Sequence, residues 1–223
     1  MKGRGAVAVG ARPLSEHRED MSHSDRERAE GFRCVGKFTL LFENQVRSSI
    51  CYRVTHRGKA YPQSGRPAGM NLVEATREDV DLLADYWYRL ASEMEPYSEL
   101  NELALDGPGD AVEGIEEHFL DDEDRTPFLL EAEGETVGFL LLHDGDHPSR
   151  TLDSYVEIVD LFVAEDHRNE GHGTAAIEAV REIAREGGAD YLTVACEWDN
   201  DGARRLYERT GFAEKQVSYA QRL

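Results

Sequence analysis

The sequence predicts one α/β domain over residues 70–223, preceded by a basic extension over 1–69. Three observations carry that reading. From Met70 onward, short apolar runs of strand length alternate with apolar faces at helical spacing. A Gly-rich turn, Arg168-Asn169-Glu170-Gly171-His172-Gly173, joins an apolar run to an amphipathic segment. The charge also reverses at Met70: residues 1–69 hold thirteen Lys+Arg against seven Asp+Glu, whereas 70–223 hold twelve against thirty-eight, within a total of −20.

The elements follow in order. Asn71-Leu72-Val73-Glu74-Ala75 reads as a first strand. Thr76 with Glu78-Asp79 supplies an N-cap and acidic first turn for a helix running to about Glu95, where Pro96 stops it. Its apolar face is Val80, Leu83, Ala84, Trp87, Leu90 and Ala91. A second helix is expected over 110–120, with Val112, Ile115 and Phe119 in line. The run Asp121-Asp122-Glu123-Asp124 lacks the glycine and alternation of a calcium loop and reads as solvated loop. Strands over 127–132 and 136–143 are joined by the tight turn Glu133-Gly134-Glu135. A polar loop precedes a strand over 154–163. A helix over 173–186 then buries Ala176, Ile177, Val180, Ile183 and Ala184 and ends at Gly187-Gly188. A buried strand is expected over 191–196 and a helix from near Asn200, closed by Gly211. One or two terminal strands follow, with Phe212, Val217, Tyr219 and Leu223 as landmarks.

Composition narrows the function. A domain carrying −26 is unsuited to nucleic acid, because phosphate contacts need clustered Lys and Arg. Most of its carboxylates must lie on the surface, since a pocket holds few. Such a surface fits a halophilic source, where salt screens self-repulsion. The acidity also leaves room for a cationic amine ligand. Cys34, Cys51 and Cys196 form no Cys-x-x-Cys pair, which argues against a disulfide framework or structural zinc. Cys196 reads as a packed small hydrophobe at a strand end. Only residues 6–11 are uncharged and mildly apolar near the N-terminus, so a cytoplasmic protein without a membrane segment is expected. Residues 1–69 read as a flexible tail, a small accessory unit around Phe38-Thr39-Leu40-Leu41-Phe42, or a region upstream of the true start. Met70 is the expected translation start.

The Gly-rich turn carries the chemistry. At a helix start its backbone N–H groups converge where the dipole favours negative charge, and glycines let an anion approach the main chain. Capture of a pyrophosphate is the function it suggests. Arg168, Gly171 and Gly173 match the Arg/Gln-x-x-Gly-x-Gly/Ala turn of a known superfamily. Asn200, Ala203, Leu206, Tyr207, Gly211 and Phe212 match its Asn-x-x-Ala-x-x-Leu-Tyr-x-x-x-Gly-Phe stretch. From Met70 on, the chain resembles the GNAT superfamily of acyl-CoA-dependent N-acetyltransferases. The element order β-α-α-β-β-β-α-β-α-β-β is that fold's order, with a mixed sheet.

That resemblance implies a site. The main chain of Asn169, Glu170, Gly171, His172, Gly173 and Thr174 would grip the pyrophosphate of acetyl-CoA, with Arg168 adding positive charge. The backbone of Leu161, Phe162 and Val163 would hold the pantetheine arm as an added strand and polarise the thioester; Asn200 would touch the arm or cap its helix. Tyr207 would protonate the departing thiolate. The proton acceptor stays open between Glu157, Asp160 and ordered water. Glu157 and Asp160, three apart on a strand, are expected on opposite faces. Trp87, Tyr88 and Tyr97 are candidates for the acceptor wall, with helical spacing assigning Trp87 to the core. No metal is expected, because His143, His147, His167 and His172 show no ligand-like spacing. The implied reaction is direct acetyl transfer to a primary amine of a small molecule or protein N-terminus. A homodimer is left open, and neither nucleic acid nor membrane is expected as a partner. Two other readings stand beside it. One is a catalytically silent CoA sensor of the same fold. The other is a dinucleotide-binding module, against which residues 164–170 separate strand from glycines.

Overall fold

Five strands form one sheet in chain order in the computed structural model, which describes residues 69–223. Expectations for the basic extension, including Cys34, Cys51 and the strands near residues 38–42, lie outside the described residues. Strand β1 (Met70–Glu74) pairs antiparallel with β2 (Arg125–Ala132), β2 with β3 (Glu135–Asp146), and β3 with β4 (Ser154–Val163). Strand β5 (Tyr191–Val194) alone runs parallel to its neighbour, β4. The sheet is mixed, as the resemblance implies.

Local chemistry sets the boundaries. Thr76 accepts from the Glu78 N–H, and the Asp79 carboxylate accepts from the Thr76 N–H at 2.8 Å, a reciprocal cap. A 3-10 turn (Arg77–Asp79) then leads into α1 (Val80–Met94), which ends before Pro96 as expected. Residues 108–120 form the second helical segment in three winds: 3-10 over Pro108–Ala111, α2 over Val112–Ile115, and a π turn over Glu116–Leu120. The wider final turn keeps Ile115 and Phe119 fully buried. Between β2 and β3, Glu133 (φ 53°) and Gly134 (φ 88°) make the two-residue turn whose twist suits a hairpin.

Helix α3 (His172–Gly187) covers one face of the sheet. Ala176, Ile177, Val180, Ile183 and Ala184 pack there against Leu72, Phe128, Leu130, Leu140, Leu142, Val156 and Ile158. The opposite face is covered by α1 and the 108–120 segment. There Phe119 stacks on Phe139 (6.1 Å) and Tyr86 meets Phe162 (5.7 Å). Burying each such large side chain contributes roughly 1.5–3 kcal/mol. Trp87 is 4% exposed and belongs to this core.

Two expectations about the C-terminal part are corrected. Strand β5 ends at Val194 and is half-buried rather than buried, because it lies at the sheet edge with only β4 beside it. Beyond Gly211 the described residues form no strand, and Val217, Tyr219 and Leu223 are exposed although their even spacing would put them on one strand face. Helix α4 (Asp201–Arg209) is the last regular element. Among the described residues, no helix is long and apolar enough to cross a membrane.

Candidate active site

Strand β4 changes character halfway along. Its residues 155–158 pair with β5 on one side and β3 on the other; residues 159–163 continue along β3 after the β5 register has ended at Ile158–Val194. Beyond that point β4 keeps an edge without a β5 partner, and the segment from Ala195 into α4 no longer pairs with it; this parting is the candidate cleft.

A bulge lies at the parting. Leu141 faces Asp160 and Leu142 faces Ile158, so Val159 has no opposite residue on β3. One extra residue shifts the side-chain alternation by one position. As a result His143/Glu157, Leu141/Asp160 and Phe139/Phe162 lie as cross-strand pairs on one face. The expectation that Glu157 and Asp160 point to opposite faces is therefore wrong; it counted residues without the bulge. Both carboxylates face the α1 side of the sheet, with Arg125 one strand further on in register with His143.

Electrostatics single out Asp160. Its Oδ2 is out of contact with water and accepts no hydrogen bond. Burial above all, helped by the charge of Glu157 and opposed by Arg125, pushes this carboxyl up to about 7. Glu157 lies 3.5 Å from His143 Nδ1 through its Oε2. Tyr207, on α4, is raised well above the ordinary phenol range by burial first, then by Cys196 and Asp160. The charge of Asp160 is the least of these three causes, so α4's tyrosine and β4's carboxyl lie within electrostatic reach of one another. Cys196 is exposed, which corrects its reading as a packed hydrophobe: the chain has already left β5 two residues earlier.

The turn follows the C-terminal end of β4. Gly171, at φ 93°, caps α3 with no side chain accepting from the first-turn N–H groups, so these donors remain available to a ligand. Gly173 serves packing as well. A Cβ there would stand 3.2 Å from Leu206, so its absence lets α3 approach α4. Arg168 folds back instead of reaching outward. Its Nε donates to the Val163 carbonyl at 2.8 Å, and its Nη2 lies 2.7 Å from both carboxylate oxygens of Glu93 on α1. The guanidinium thus braces the turn against β4 and α1.

The remaining expected residues fall as follows. Asn200 caps α4, its Oδ1 accepting from Ala203 N at 3.0 Å. Leu161 and Val163 rest their side chains against the α3-side core while Phe162 is buried opposite, which leaves the main chain as the part of 161–163 able to act. Tyr88 is half-buried and Tyr97 is exposed on the 3-10 turn after α1. His167, Glu170 and His172 bring ligand atoms within 4.8 Å of one another, although their sequence spacing gave no such signal. Arg125, His143, Glu93 and Cys196 were missed as neighbours of the site. The first two share its face only through strand register, which residue order does not display.

A sequence model of the acetyltransferase (GNAT) family matches residues 84–212. An uncharacterized N-acetyltransferase, YhfO of Bacillus subtilis, is 28% identical over 145 residues, 65% of this chain and 91% of that protein. The ribosomal-protein-alanine N-acetyltransferase of Brucella melitensis superposes with a TM-score of 0.54 at 22% identity, covering 70% of this chain and 99% of that one. An acetyltransferase of Clostridium acetobutylicum, solved with acetyl-CoA, gives 0.55 at 15% identity, covering 69% and 96%. The matched region spans the cleft, the turn and Tyr207, and the chain belongs to the GNAT acetyltransferase family, as an acyltransferase enzyme.

Proposed function

We propose that the protein moves an acetyl group from acetyl-CoA to a primary amine, of a small molecule or a protein N-terminus, by direct transfer in a ternary complex. One observation carries this reading above the rest: beyond Ile158 β4 loses its β5 partner, carries the buried Asp160, whose charge acts on Tyr207, and leads into the turn where the α3 N-terminus has no side-chain cap. The family membership and the acetyl-CoA held by the Clostridium acetobutylicum neighbour support the choice of donor.

In this reading the diphosphate lies on the N–H groups of residues 169–174, and the pantetheine arm extends β4 along 161–163 as a strand would. The amine nitrogen attacks the thioester carbonyl carbon. A main-chain N–H of the 161–163 stretch holds the oxygen that gains charge. The C–N bond forms, the amine proton passes to the Asp160 carboxylate, and the C–S bond breaks with Tyr207 donating its proton to the sulfur. The directions of the two pKa shifts suit these roles. A carboxyl near neutrality both takes and returns a proton, and a phenol held well above its ordinary range is protonated when the thiolate leaves. Glu157 supports Asp160 by holding its pKa up, and Arg125 keeps its charged form accessible. The acidic surface suits work in concentrated salt.

The test is release of free thiol from acetyl-CoA by the full chain over a panel of small amines and N-terminal peptides in high salt, with calorimetry of CoA binding beside it. Saturable CoA binding without turnover on any amine would favour the silent-sensor reading; no CoA binding at any ionic strength would end both.

A further inference from the structure

The diphosphate turn carries a second group of ligands that the acetyl-transfer chemistry leaves unused. His167 closes the 3-10 turn Glu165–His167, its N–H held by the Ala164 carbonyl at 2.9 Å. The chain then folds back through two left-handed residues, Asn169 (φ 65°) and Gly171 (φ 93°), so that His172, the first residue of α3, returns beside His167. The two imidazoles are 6.4 Å apart between centroids at 62°. Glu170 at the tip reaches in, its Oε2 3.1 Å from His172 Nε2. One ligand atom from each residue lies within 4.8 Å of the other two. We infer that His167, Glu170 and His172 form a binding site for a divalent transition metal of the zinc class.

The donor set decides the class of ion. Two imidazoles and one carboxylate suit zinc, nickel or copper, whereas calcium and magnesium take shells of oxygen. Zinc bonds of about 2.0–2.2 Å to nitrogen and oxygen set tetrahedral ligands roughly 3.3 Å apart. The ligand atoms, within 4.8 Å of one another, must draw closer to bind, and the Glu170–His172 pair at 3.1 Å is already near that spacing. His167 and His172 are half-buried and Glu170 is exposed, so the ion has both a seat and a path from solvent. Three protein ligands leave a fourth position for water or an outside donor. The dipole at the start of α3 opposes a cation, while the Glu170 carboxylate and the strongly negative domain favour one. The site stands independently of the acetyl-transfer reading, because nothing in its geometry depends on CoA.

The experiment uses the full chain, stripped of metal with chelator and titrated with zinc chloride by calorimetry in the absence of CoA. His17, His23 and His56 lie outside the described residues, so the decisive comparison is between wild type and variants. The wild type is expected to bind one zinc ion more than a His167→Ala/His172→Ala double variant. Glu170→Gln, an isosteric change at an exposed position, is expected to weaken that ion at least tenfold. Cobalt(II) added to the wild type is expected to give the visible absorption of a four-coordinate site with nitrogen ligands. Equal zinc binding by wild type and double variant would overturn the site. So would an unchanged affinity in Glu170→Gln, or the cobalt spectrum of the hexaaquo ion, and neither of these depends on the double variant folding.

Discussion

The two halves of β4 have the same sequence character and opposite duties. Residues 155–158 are hydrogen-bonded between β3 and β5, and Val156 and Ile158 are buried beneath α3. Residues 159–163 keep β3 but lose β5, and Leu161 and Val163 are only partly buried on the same face. The first half is scaffold. The second has main chain without a β5 partner, and a carboxyl whose environment is dry. The bulge at Val159 separates the two, and by shifting the alternation it brings Glu157 of the first half and Asp160 of the second onto one face. The half proposed to act differs from the structural half by the partner it lacks and by one extra residue.

The largest expected effect falls on the second half's partner across the cleft. Tyr207→Phe removes the proposed proton donor but keeps its ring beside Phe212, which it meets at 5.8 Å. Turnover is expected to drop by roughly 100-fold or more, the usual size of a general-acid contribution, with CoA affinity unchanged by calorimetry. Turnover within a factor of two of wild type would return Tyr207 to packing alone.

Stability should respond in the other half. Ile158, 1% exposed, lies in the core under α3. Ile158→Ala is expected to cost about 2–5 kcal/mol in chemical denaturation. Leu161→Ala, at a partly buried position on the same face, should cost distinctly less. Equal losses would mean that the two halves do not differ in packing.

Asp160 links both properties through pH. Unfolded, this carboxyl ionises near its ordinary 3.8; folded, it holds its proton up to about 7. The folded state therefore binds more protons between those values. Its contribution to stability is complete below the lower value and is lost as pH rises through about 7. Asp160→Asn should remove that loss, stabilising the protein above neutrality by on the order of a few kcal/mol relative to wild type, while abolishing the acid limb of kcat/KM. A variant whose denaturation midpoint keeps the wild-type pH dependence would show that Asp160 is not the group being titrated.

Much of this was legible beforehand. Thr76 with Asp79 announced α1, the five apolar positions of α3 were read in full, and β4 was bounded correctly because its apolar run is long and flanked by polar loop and turn. The motif residues of the turn and Tyr207 could be proposed because their pattern is local in sequence. The pairing of Glu157 with Asp160 was not, since a bulge is a property of two strands and Val159 looks like any strand residue. Nor was the bracing of Arg168, whose partner Glu93 is 75 residues earlier. The terminal strands failed for a different reason: Val217, Tyr219 and Leu223 looked apolar enough, but a strand needs an edge whose exposed face they can cover.

The smallest expected effect tests whether the turn is built for an anion or merely for a helix start. Gly171 holds φ 93° with open space around its Cα, whereas Gly173 has ordinary φ and a Leu206 methyl 3.2 Å from where a Cβ would stand. Gly171→Ala should cost about 1 kcal/mol, the strain of a side chain in the left-handed region. Gly173→Ala should cost less, because Leu206 can rotate away by a few tenths of an ångström. If the first-turn N–H groups hold a diphosphate, CoA binding should follow the reverse order. A methyl on Gly173 presses on Leu206 and so shifts the first turn that carries the donors, whereas one on Gly171 strains the cap but leaves the later donors in place. Calorimetry of CoA with each variant, beside denaturation of each, separates the two scales. Losses of affinity that track the losses of stability would make both glycines structural.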